Sequence, residues 1–455
     1  MHESLLLKNE YIKDVKVYDN TSVYAGVLTL KPNECYLEIS TERETSENFY
    51  ASKKIECYCN DGSYLLYGLK LLQMSHTFLE AQENDIICSV SIKFEIQYVL
   101  FINGFLPSLD TKINSFAINT DFIKKWTLQT ETQNQILINY IKNEGYSSYY
   151  ATEFEQHINN YGKVGVYYLP SQFTSIEELN SGIKIHPQLK ISFEEKLDFS
   201  KLFNEFNDLY QLLTVFNGGD FQIDSIEFEI DEWNSKTAYL YYPSSHNYED
   251  LNYVLLPLGK DLIFNDQGLK QLPLVFFDNY YNLTANKMDI FKKYLRYKQL
   301  SSLEEKFLGY FRLLEKLVAK KESFVDDREL AILLKRSKSY LIKKLNTKKK
   351  IIESLNDRIK YANTLKLNIE RCIGDFYETI PQDIRNHLEF NKEDLKDIVD
   401  LRNNITHAKD YSIKDYELYN YTVFIHSLLF LGITNLLLEI PFETCIPIAR
   451  RLRQI

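Results

Sequence analysis

Residues 395–407, LKDIVDLRNNITH, indicate the fold of the C-terminal part of the chain. Its apolar residues Ile398 and Val399 follow Leu395 by three and four residues, which is the spacing of one helix face. Asn391 precedes them and is a residue type that caps helix N-termini. The stretch therefore predicts a helix whose last turn carries a dense cluster of polar residues.

A long uncharged run follows this helix. Twenty-one residues without charge separate Glu417 from Glu439, and Asp415 precedes the run as a candidate N-cap. That length is enough to span a bilayer. Four polar side chains inside the run argue against a span, because each is costly in hydrocarbon: Asn420, His426, Thr434 and Asn435. We therefore predict a buried core helix or dimer-interface helix and no membrane partner.

The helical pattern extends upstream to about Met288. One predicted helix has apolar residues at three- and four-residue steps from Leu303 to Leu317, and another has them from Leu355 to Cys372. Residues 286–455 are therefore predicted to form an all-α bundle.

The preceding part, residues 1–285, has a different pattern. Short β-branched and aromatic runs alternate with turn residues and predict strands at Val23–Leu30, Cys35–Ile39, Ser63–Leu72, Ile86–Ile102, Val164–Leu169, Ile183–Phe193, Phe221–Asp231, Tyr239–Tyr242 and Tyr253–Leu258. A helical period at about 199–217 interrupts them and stops at Gly218-Gly219. We predict an α+β multidomain protein with a β-rich, sandwich or barrel-like N-terminal region and a boundary near residue 285.

Charge is distributed unevenly along the 455 residues. The chain has 53 Lys and Arg against 63 Asp and Glu, but residues 301–455 have 27 against 23, which leaves 26 against 40 for residues 1–300. A net charge of −10 argues against a protein that coats nucleic acid with its whole surface. Any site for a polyanion is therefore expected in the basic C-terminal third.

Cysteines and carboxylates offer little support for a metal site or a cofactor. The six cysteines include no C-x-x-C pair, and Cys57-x-Cys59 lacks the four ligands of a zinc site. Glu227, Glu229 and Asp231 alternate along one strand, where a solvent-facing strand edge explains them better than a bound cation. We expect no metal, no cofactor and no disulfide, and a cytoplasmic location because no signal peptide is evident.

The polar cluster at the end of the 395–407 stretch brings an anion binder and a proton carrier close together. Arg402 and His407 are five residues apart, about 500° on a straight helix, so they point about 140° apart, whereas Asn403 and His407 share a face. Arg402 and His407 can meet if the Arg reaches around, if the helix loosens, or if two copies pair. The alternative is an ordinary helix C-terminal cap.

An arginine and a histidine together suit RNA cleavage. A guanidinium binds phosphate bidentately and stabilises a charged phosphorane, and an imidazole transfers protons near neutral pH. A 2′-OH nucleophile makes such a site specific for RNA. The basic segment from Lys335 to Lys350 suits electrostatic guidance of RNA, although a solvated helix face explains it equally well. Its candidate RNA-binding residues are Lys335, Arg336, Lys338, Lys343 and Lys344.

The cluster resembles the R-x4-6-H motif of HEPN domains, which are helical bundles with the motif on a late helix before a last apolar helix. KFLGYFRLLEK, residues 306–316, resembles the first HEPN helix of ApeA-like proteins, and YAGVLTL, residues 24–30, resembles the opening strand of the ApeA N-terminal domain. The resemblance spans nearly the whole chain.

The resemblance implies a metal-independent anti-phage endoribonuclease of the abortive-infection type. Arg402 is expected to stabilise the phosphate, His407 to act as general acid and base, Asn403 to support by hydrogen bonding, and Glu315 to orient the site. Expected partners are RNA, with transfer RNA as one candidate, a second copy in a homodimer or higher oligomer, and a phage-derived trigger sensed by the N-terminal region. The alternative is a non-catalytic, dimerising protein-binding module that senses a phage component.

Overall fold

A computed structural model of the chain describes residues 5–19, 22–42, 54–80, 86–104, 111–142, 151–175, 180–230, 238–244, 253–323, 325–366 and 368–454. The chain divides into two compact units, Met1–Thr284 and Ala285–Ile455.

The first unit is built on one antiparallel sheet. Its strands are β1 Tyr11–Asp19, β2 Ser22–Leu30, β3 Cys35–Glu42, β4 Lys54–Tyr58, β5 Gly62–Tyr67, β6 Lys70–Glu80, β7 Ile86–Glu95, β8 Tyr98–Asn103, β9 Ile113–Asn119, β10 Ala151–Ile158, β11 Gly162–Ser175, β12 Asn180–Leu197, β13 Ser225–Ile230 and β14 Ala238–Tyr241. Their order in the sheet is β10-β11-β12-β9-β13-β14-β8-β5-β4-β1-β2-β3-β7-β6. The predicted β-rich N-terminal region is confirmed.

Helices cover parts of this unit. They are α1 Asp121–Thr127, α2 Glu131–Ile141, α3 Leu202–Asn217 and α4 Phe276–Tyr281, with a short 3-10 turn at Phe199–Lys201 before α3. The helix predicted at about 199–217 is present, and it ends at Gly218, whose φ of 81° is the left-handed conformation that glycine adopts at low cost. The sequence did not predict α1 and α2, which begin at the capping residues Thr120 and Thr130.

Two predicted long strands are each divided in the structure. Ser63–Leu72 is divided at Gly68, whose φ is 66°, and Ile86–Ile102 is divided around Gln97. The two breaks lie together, because a Cβ on Gly68 would come within 2.5 Å of the Gln97 Cβ. The Gln97 N–H donates to the Tyr67 carbonyl at 3.0 Å, so the broken strands still satisfy their backbone groups.

The prediction of a strand at Tyr253–Leu258 is wrong. This segment is buried and apolar, but its N–H groups donate to carbonyls at helix ends rather than to a neighbouring strand. Leu256 donates to Phe216 at 2.9 Å and Leu258 to Trp126 at 2.8 Å. Apolar content alone therefore predicted burial correctly and the hydrogen-bond partner incorrectly.

The acidic residues of β13 are occupied by protein partners. Glu227 accepts a hydrogen bond from Asn119 at 3.0 Å, and Glu229 pairs with Lys190 at 2.6 Å. Asp231 lies outside the described residues. The expectation of a strand edge is wrong, because β13 lies between β9 and β14 inside the sheet. Within the described ranges no group of three or more His, Cys, Asp or Glu is arranged to hold a metal ion.

The second unit is helical. Its helices are α5 Ala285–Lys298, α6 Leu303–Val318, α7 Asp327–Lys344, α8 Lys349–Asn363, α9 Ile369–Thr379, α10 Gln382–Arg385, α11 Leu395–Thr406, α12 Asp415–Gly432 and α13 Phe442–Cys445. A π-helical turn, Ile433–Leu437, extends α12, and a 3-10 helix, Ile446–Gln454, follows α13. Strands β15 Lys321–Ser323 and β16 Thr364–Lys366 pair as an antiparallel two-stranded ribbon. The predicted helical C-terminal region is confirmed, with this ribbon as an addition.

The single helix predicted from Leu355 to Cys372 is divided into α8 and α9 by strand β16. Asn363, the last residue of α8, is the physical cause. Its side-chain amide donates to the Val325 carbonyl at 2.9 Å and to Asp327 at 2.7 Å, and its oxygen accepts from the Val325 N–H at 3.1 Å. These three bonds tie the end of α8 to the start of α7 and close an α7–α8 hairpin.

The uncharged run forms α12 and the π-helical turn. Asp415–Leu437 is long and apolar enough to cross a membrane by length and composition, but 78% of its most apolar window is buried within the protein. Three of the four polar side chains that argued against a membrane span have partners: His426 bonds to the Tyr294 hydroxyl at 2.7 Å and stacks on Tyr310, Thr434 donates to the Phe430 carbonyl at 3.0 Å, and Asn435 donates to the Ile440 carbonyl at 3.3 Å. The helix packs closely on α6 as a core element.

Candidate active site

Helix α11 ends at the polar cluster that the sequence singled out. His407 is the C-cap residue, and its N–H donates to the Asn403 carbonyl at 3.0 Å. The next two N–H groups turn back into the helix, from Ala408 to Ile405 at 3.2 Å and from Lys409 to Asn404 at 2.9 Å. This pair of bonds defines a Schellman motif, which ends the helix immediately after His407.

The motif contains an unusual residue at its left-handed position. Ala408 has a φ of 49°, a conformation in which its Cβ crowds the following carbonyl, and glycine is the common residue there. Strained backbone is often found at functional sites. The strain lies one residue beyond His407 and fixes the direction in which the chain leaves the helix.

We predict that Ala408→Gly raises the free energy of unfolding by about 0.5–1 kcal/mol, because glycine relieves this strain but enlarges the unfolded ensemble. Thermal unfolding measures the change. Ala319→Gly is a matched control, since Ala319 is an exposed helix C-cap with a φ of −56°. Equal loss of stability in both variants would contradict the assignment of strain to Ala408.

Arg402 is held by three neighbours. One guanidinium nitrogen donates to the Glu315 carboxylate on α6 at 2.7 Å, and the other terminal nitrogen donates to the Asn403 side-chain oxygen at 3.0 Å. The guanidinium also lies over the Phe311 ring, 5.3 Å from its centroid. Phe311 and Glu315 are four residues apart on α6 and so share one face. Two helices therefore fix the position of this guanidinium.

The Arg402 pair is neither buried nor fully open. The Arg402 side chain is 20% exposed and that of Glu315 is 31% exposed. Water reaches the pair from one side, so an incoming anion can reach the N–H donors that Glu315 and Asn403 leave unused. A guanidinium has five such donors, and two are engaged here. The arrangement holds the arginine in place and still leaves part of its hydrogen-bonding edge for a ligand.

The His407 side chain is exposed and forms no hydrogen bond with any described residue. The structure therefore brings Arg402, Asn403 and Glu315 together and places His407 one turn beyond them at the helix end. Arg402 and His407 form no hydrogen bond with each other within one chain, so neither an Arg402 side chain that reaches around nor a loosened helix end joins them here. The imidazole is free to contact a substrate or a group from a second copy.

Beyond His407 the chain follows α6. A hydrogen bond with Glu304, in the first turn of α6, raises the pKa of the Tyr411 hydroxyl. Arg402 contacts Glu315 in the last turns of the same helix. The segment from Arg402 to Tyr411 thus runs along about 16 Å of α6, the length of eleven helical residues, and His407 lies between its ends.

The predicted RNA-binding residues lie on α7 of the α7–α8 hairpin. Residues 327–363 contain eleven Lys and Arg against four Asp and Glu. Lys335, Arg336, Lys343 and Lys344 are exposed, whereas Lys338 pairs with Glu353 on α8. Four of the five predicted residues thus have their charge in solvent, and the fifth helps to join the two helices.

Two features of the site lay outside the sequence prediction. The contact of Phe311 with Arg402 was missed, although its four-residue spacing from Glu315 was a usable signal once Glu315 was a candidate. The left-handed Ala408 was also missed, because an alanine carries no sequence signal for that conformation.

The helical unit carries an arginine paired with a glutamate, an adjacent asparagine and a histidine that ends the same helix, and a family comparison gives this unit its class as a HEPN domain. The chain matches the family model Apea-like HEPN over residues 276–444 and the model ApeA N-terminal domain 1 over residues 10–258. The second match covers more than half of the chain, so the chain belongs to the ApeA family. HEPN domains are generally ribonucleases, and this family belongs to anti-phage defence. Neither the curated proteins nor the solved structures yielded a match.

Proposed function

We propose that this protein is a metal-independent HEPN endoribonuclease that acts in anti-phage defence by abortive infection. The observation that carries the proposal is Arg402, held in place near the end of α11, followed by His407, whose exposed side chain has no hydrogen bond to any described residue. A fixed guanidinium and a free imidazole are the two groups that RNA transesterification requires.

The reaction begins at the 2′-OH beside the scissile phosphate. A neutral imidazole accepts the proton of this hydroxyl while its oxygen forms a new bond to phosphorus. The bond from phosphorus to the 5′ oxygen then breaks, and that oxygen takes a proton from an imidazolium. The products are a 2′,3′-cyclic phosphate and a 5′-OH. Arg402 stabilises the extra negative charge on the phosphorane oxygens, and Asn403 and Glu315 hold Arg402 in position.

Two imidazoles serve this reaction better than one, because one must be neutral while the other is protonated. Each chain offers one His407 at the end of α11. We therefore propose a homodimer, or a higher oligomer built from it, in which two motifs face one another. HEPN domains typically dimerise and bind RNA, which supports this arrangement.

The basic α7–α8 hairpin is proposed to guide RNA, with transfer RNA as one candidate, to the site. Its excess of seven positive charges suits a polyanion. Residues 1–284 have 21 Lys and Arg against 39 Asp and Glu, a difference of −18, which disfavours RNA. We propose that this acidic unit regulates the nuclease in the cytoplasm and responds to a phage-derived trigger.

Cleavage of RNA in EDTA tests the proposal. The purified full-length protein, alone and with lysate from phage-infected cells, is incubated with RNA and with DNA of the same sequence. We expect RNA to be cut in EDTA and DNA to stay intact, because DNA lacks the 2′-OH nucleophile. Equal cutting of both polymers, or cutting that EDTA abolishes, would contradict the mechanism.

A further inference from the structure

Arg312 on α6 lies next to the candidate active site. It is three residues before Glu315, which on a helix is about 60° around the axis and about 4.5 Å along it. Phe311, its neighbour in sequence, lies under the Arg402 guanidinium. Arg312 therefore projects from the side of α6 that flanks the Arg402 pair.

The segment that carries His407 runs past this position. Arg402 contacts α6 at Glu315, and Tyr411 contacts the same helix at Glu304. Arg312 lies between those two contact points on α6, and His407 lies between them on the other segment. Arg312 and His407 thus both lie within the span of the chain that these two contacts bound.

Arg312 has no protein partner among the described residues. Its side chain is exposed and forms no hydrogen bond, ion pair or ring contact there. The contrast with Lys316, one turn further along α6, is clear, since Lys316 donates to the Asn286 carbonyl at 2.8 Å and lies 3.6 Å from Asp289. Charge on Arg402 is also offset by Glu315. Arg312 is therefore a guanidinium beside the site that forms no ion pair with any carboxylate in the described ranges.

We propose that Arg312 is a second phosphate-binding residue, which contacts an RNA phosphate adjacent to the scissile one. The inference deepens the proposed function and rests on it. Arg402 is positioned to act on the scissile phosphate, where charge develops, and Arg312 holds a neighbouring phosphate whose charge does not change during the reaction. A contact that is equally strong in the ground state and the transition state lowers KM and leaves kcat unchanged.

Arg312→Ala and Arg312→Lys test this role, with Lys316→Ala as the matched control on the same helix. RNA binding is measured in a His407→Ala background, so that the RNA is not consumed, and cleavage is measured in the wild-type background. We expect Arg312→Ala to weaken binding and raise KM by about tenfold, as loss of a charge-assisted hydrogen bond does, with kcat within about twofold. Arg312→Lys is expected to restore part of the binding.

The salt dependence of RNA binding separates a lost phosphate contact from a general effect of altered folding, because each phosphate contact contributes to the slope of log Kd against log salt. Loss of one phosphate contact should reduce the slope of log Kd against log salt by about one in Arg312→Ala and leave it unchanged in Lys316→Ala. Equal binding and equal slopes for Arg312→Ala and the wild type would overturn the proposal, even if His407→Ala abolishes cleavage. If binding falls in Arg312→Ala while no form of the protein cuts RNA, the phosphate contact stands and the proposed nuclease fails.

Discussion

Replacing His407 by alanine is expected to abolish RNA cleavage and to leave the protein folded. The side chain is exposed and has no hydrogen bond to the described part of the chain, so its removal breaks no structural contact. A positioned general acid or base contributes about 10²- to 10⁴-fold to a rate, and in a dimer the substitution removes both the acid and the base at once. The rate should therefore fall by at least about 10³-fold, measured under single-turnover conditions.

His387→Ala provides a matched control, because His387 also closely follows an arginine in the same unit. That arginine, Arg385, is the last residue of the short helix α10, and His387 lies two residues beyond it. Its activity should match the wild type. Size-exclusion chromatography with light scattering should show the same oligomeric state for all three proteins. Full cleavage by His407→Ala would remove this residue from the chemistry, and loss of activity together with loss of the oligomer would assign it a structural role.

The second large effect is expected from Arg402→Lys. Lysine keeps the positive charge but has no planar fork, so it cannot hold a phosphate bidentately while it pairs with Glu315 and Asn403. Removal of a preorganised donor at the developing charge costs about 10²- to 10³-fold in rate. We expect kcat to fall by about that factor, with a small change in thermal stability because the pair is partly exposed.

Two further variants separate chemistry from packing in that experiment. Arg385→Lys is the control, since Arg385 also lies over an aromatic ring, that of Tyr377, at 5.6 Å but outside the site. Glu315→Gln should reduce the rate less than Arg402→Lys, because the arginine remains and only its orientation weakens. Wild-type kcat in Arg402→Lys would exclude a bidentate role for Arg402 at the reacting phosphate.

Local patterns in the sequence were sufficient for much of the fold. The helix Leu303–Val318 and the buried helix from Asp415 follow from apolar periodicity, and the end of α3 follows from Gly218. Strand order could not be predicted, because pairs such as β1 with β4 and β9 with β13 depend on contacts between distant residues. Non-local pairing leaves no periodic signal in the sequence.

The errors have a common physical cause, which is that tertiary hydrogen bonds override local propensity. The apolar segment at Tyr253–Leu258 has the composition of a strand, but its N–H groups donate to carbonyls of two helices instead of to a neighbouring strand. Similarly, the helix that was predicted to continue past residue 363 ends at Asn363. The Asn363 side-chain amide donates to the Val325 carbonyl and to Asp327, at the start of α7. Neither partner is identifiable from the neighbouring sequence.

In the candidate site, too, relations between neighbouring residues could be predicted from the sequence, whereas contacts between distant residues could not. Arg402, Asn403 and His407 are close in sequence, so their relation follows from helix geometry. The contact between Arg402 and Glu315 joins residues 87 positions apart, and Glu315 became a candidate through the family resemblance and not through spacing. Arg312 lies three residues from Glu315, and only the structure distinguishes it from the paired Lys316.

Analysis of the product ends after RNA cleavage in EDTA, with the wild type beside His407→Ala, tests whether the 2′-OH of RNA is the nucleophile. Mass spectrometry distinguishes a 2′,3′-cyclic phosphate from a 3′-phosphate or a 3′-OH. We predict cyclic phosphate and 5′-OH ends from the wild type and no cleavage by the variant. Products with a 3′-OH and a 5′-phosphate would contradict attack by the 2′-OH, and with it the mechanism assigned to Arg402 and His407.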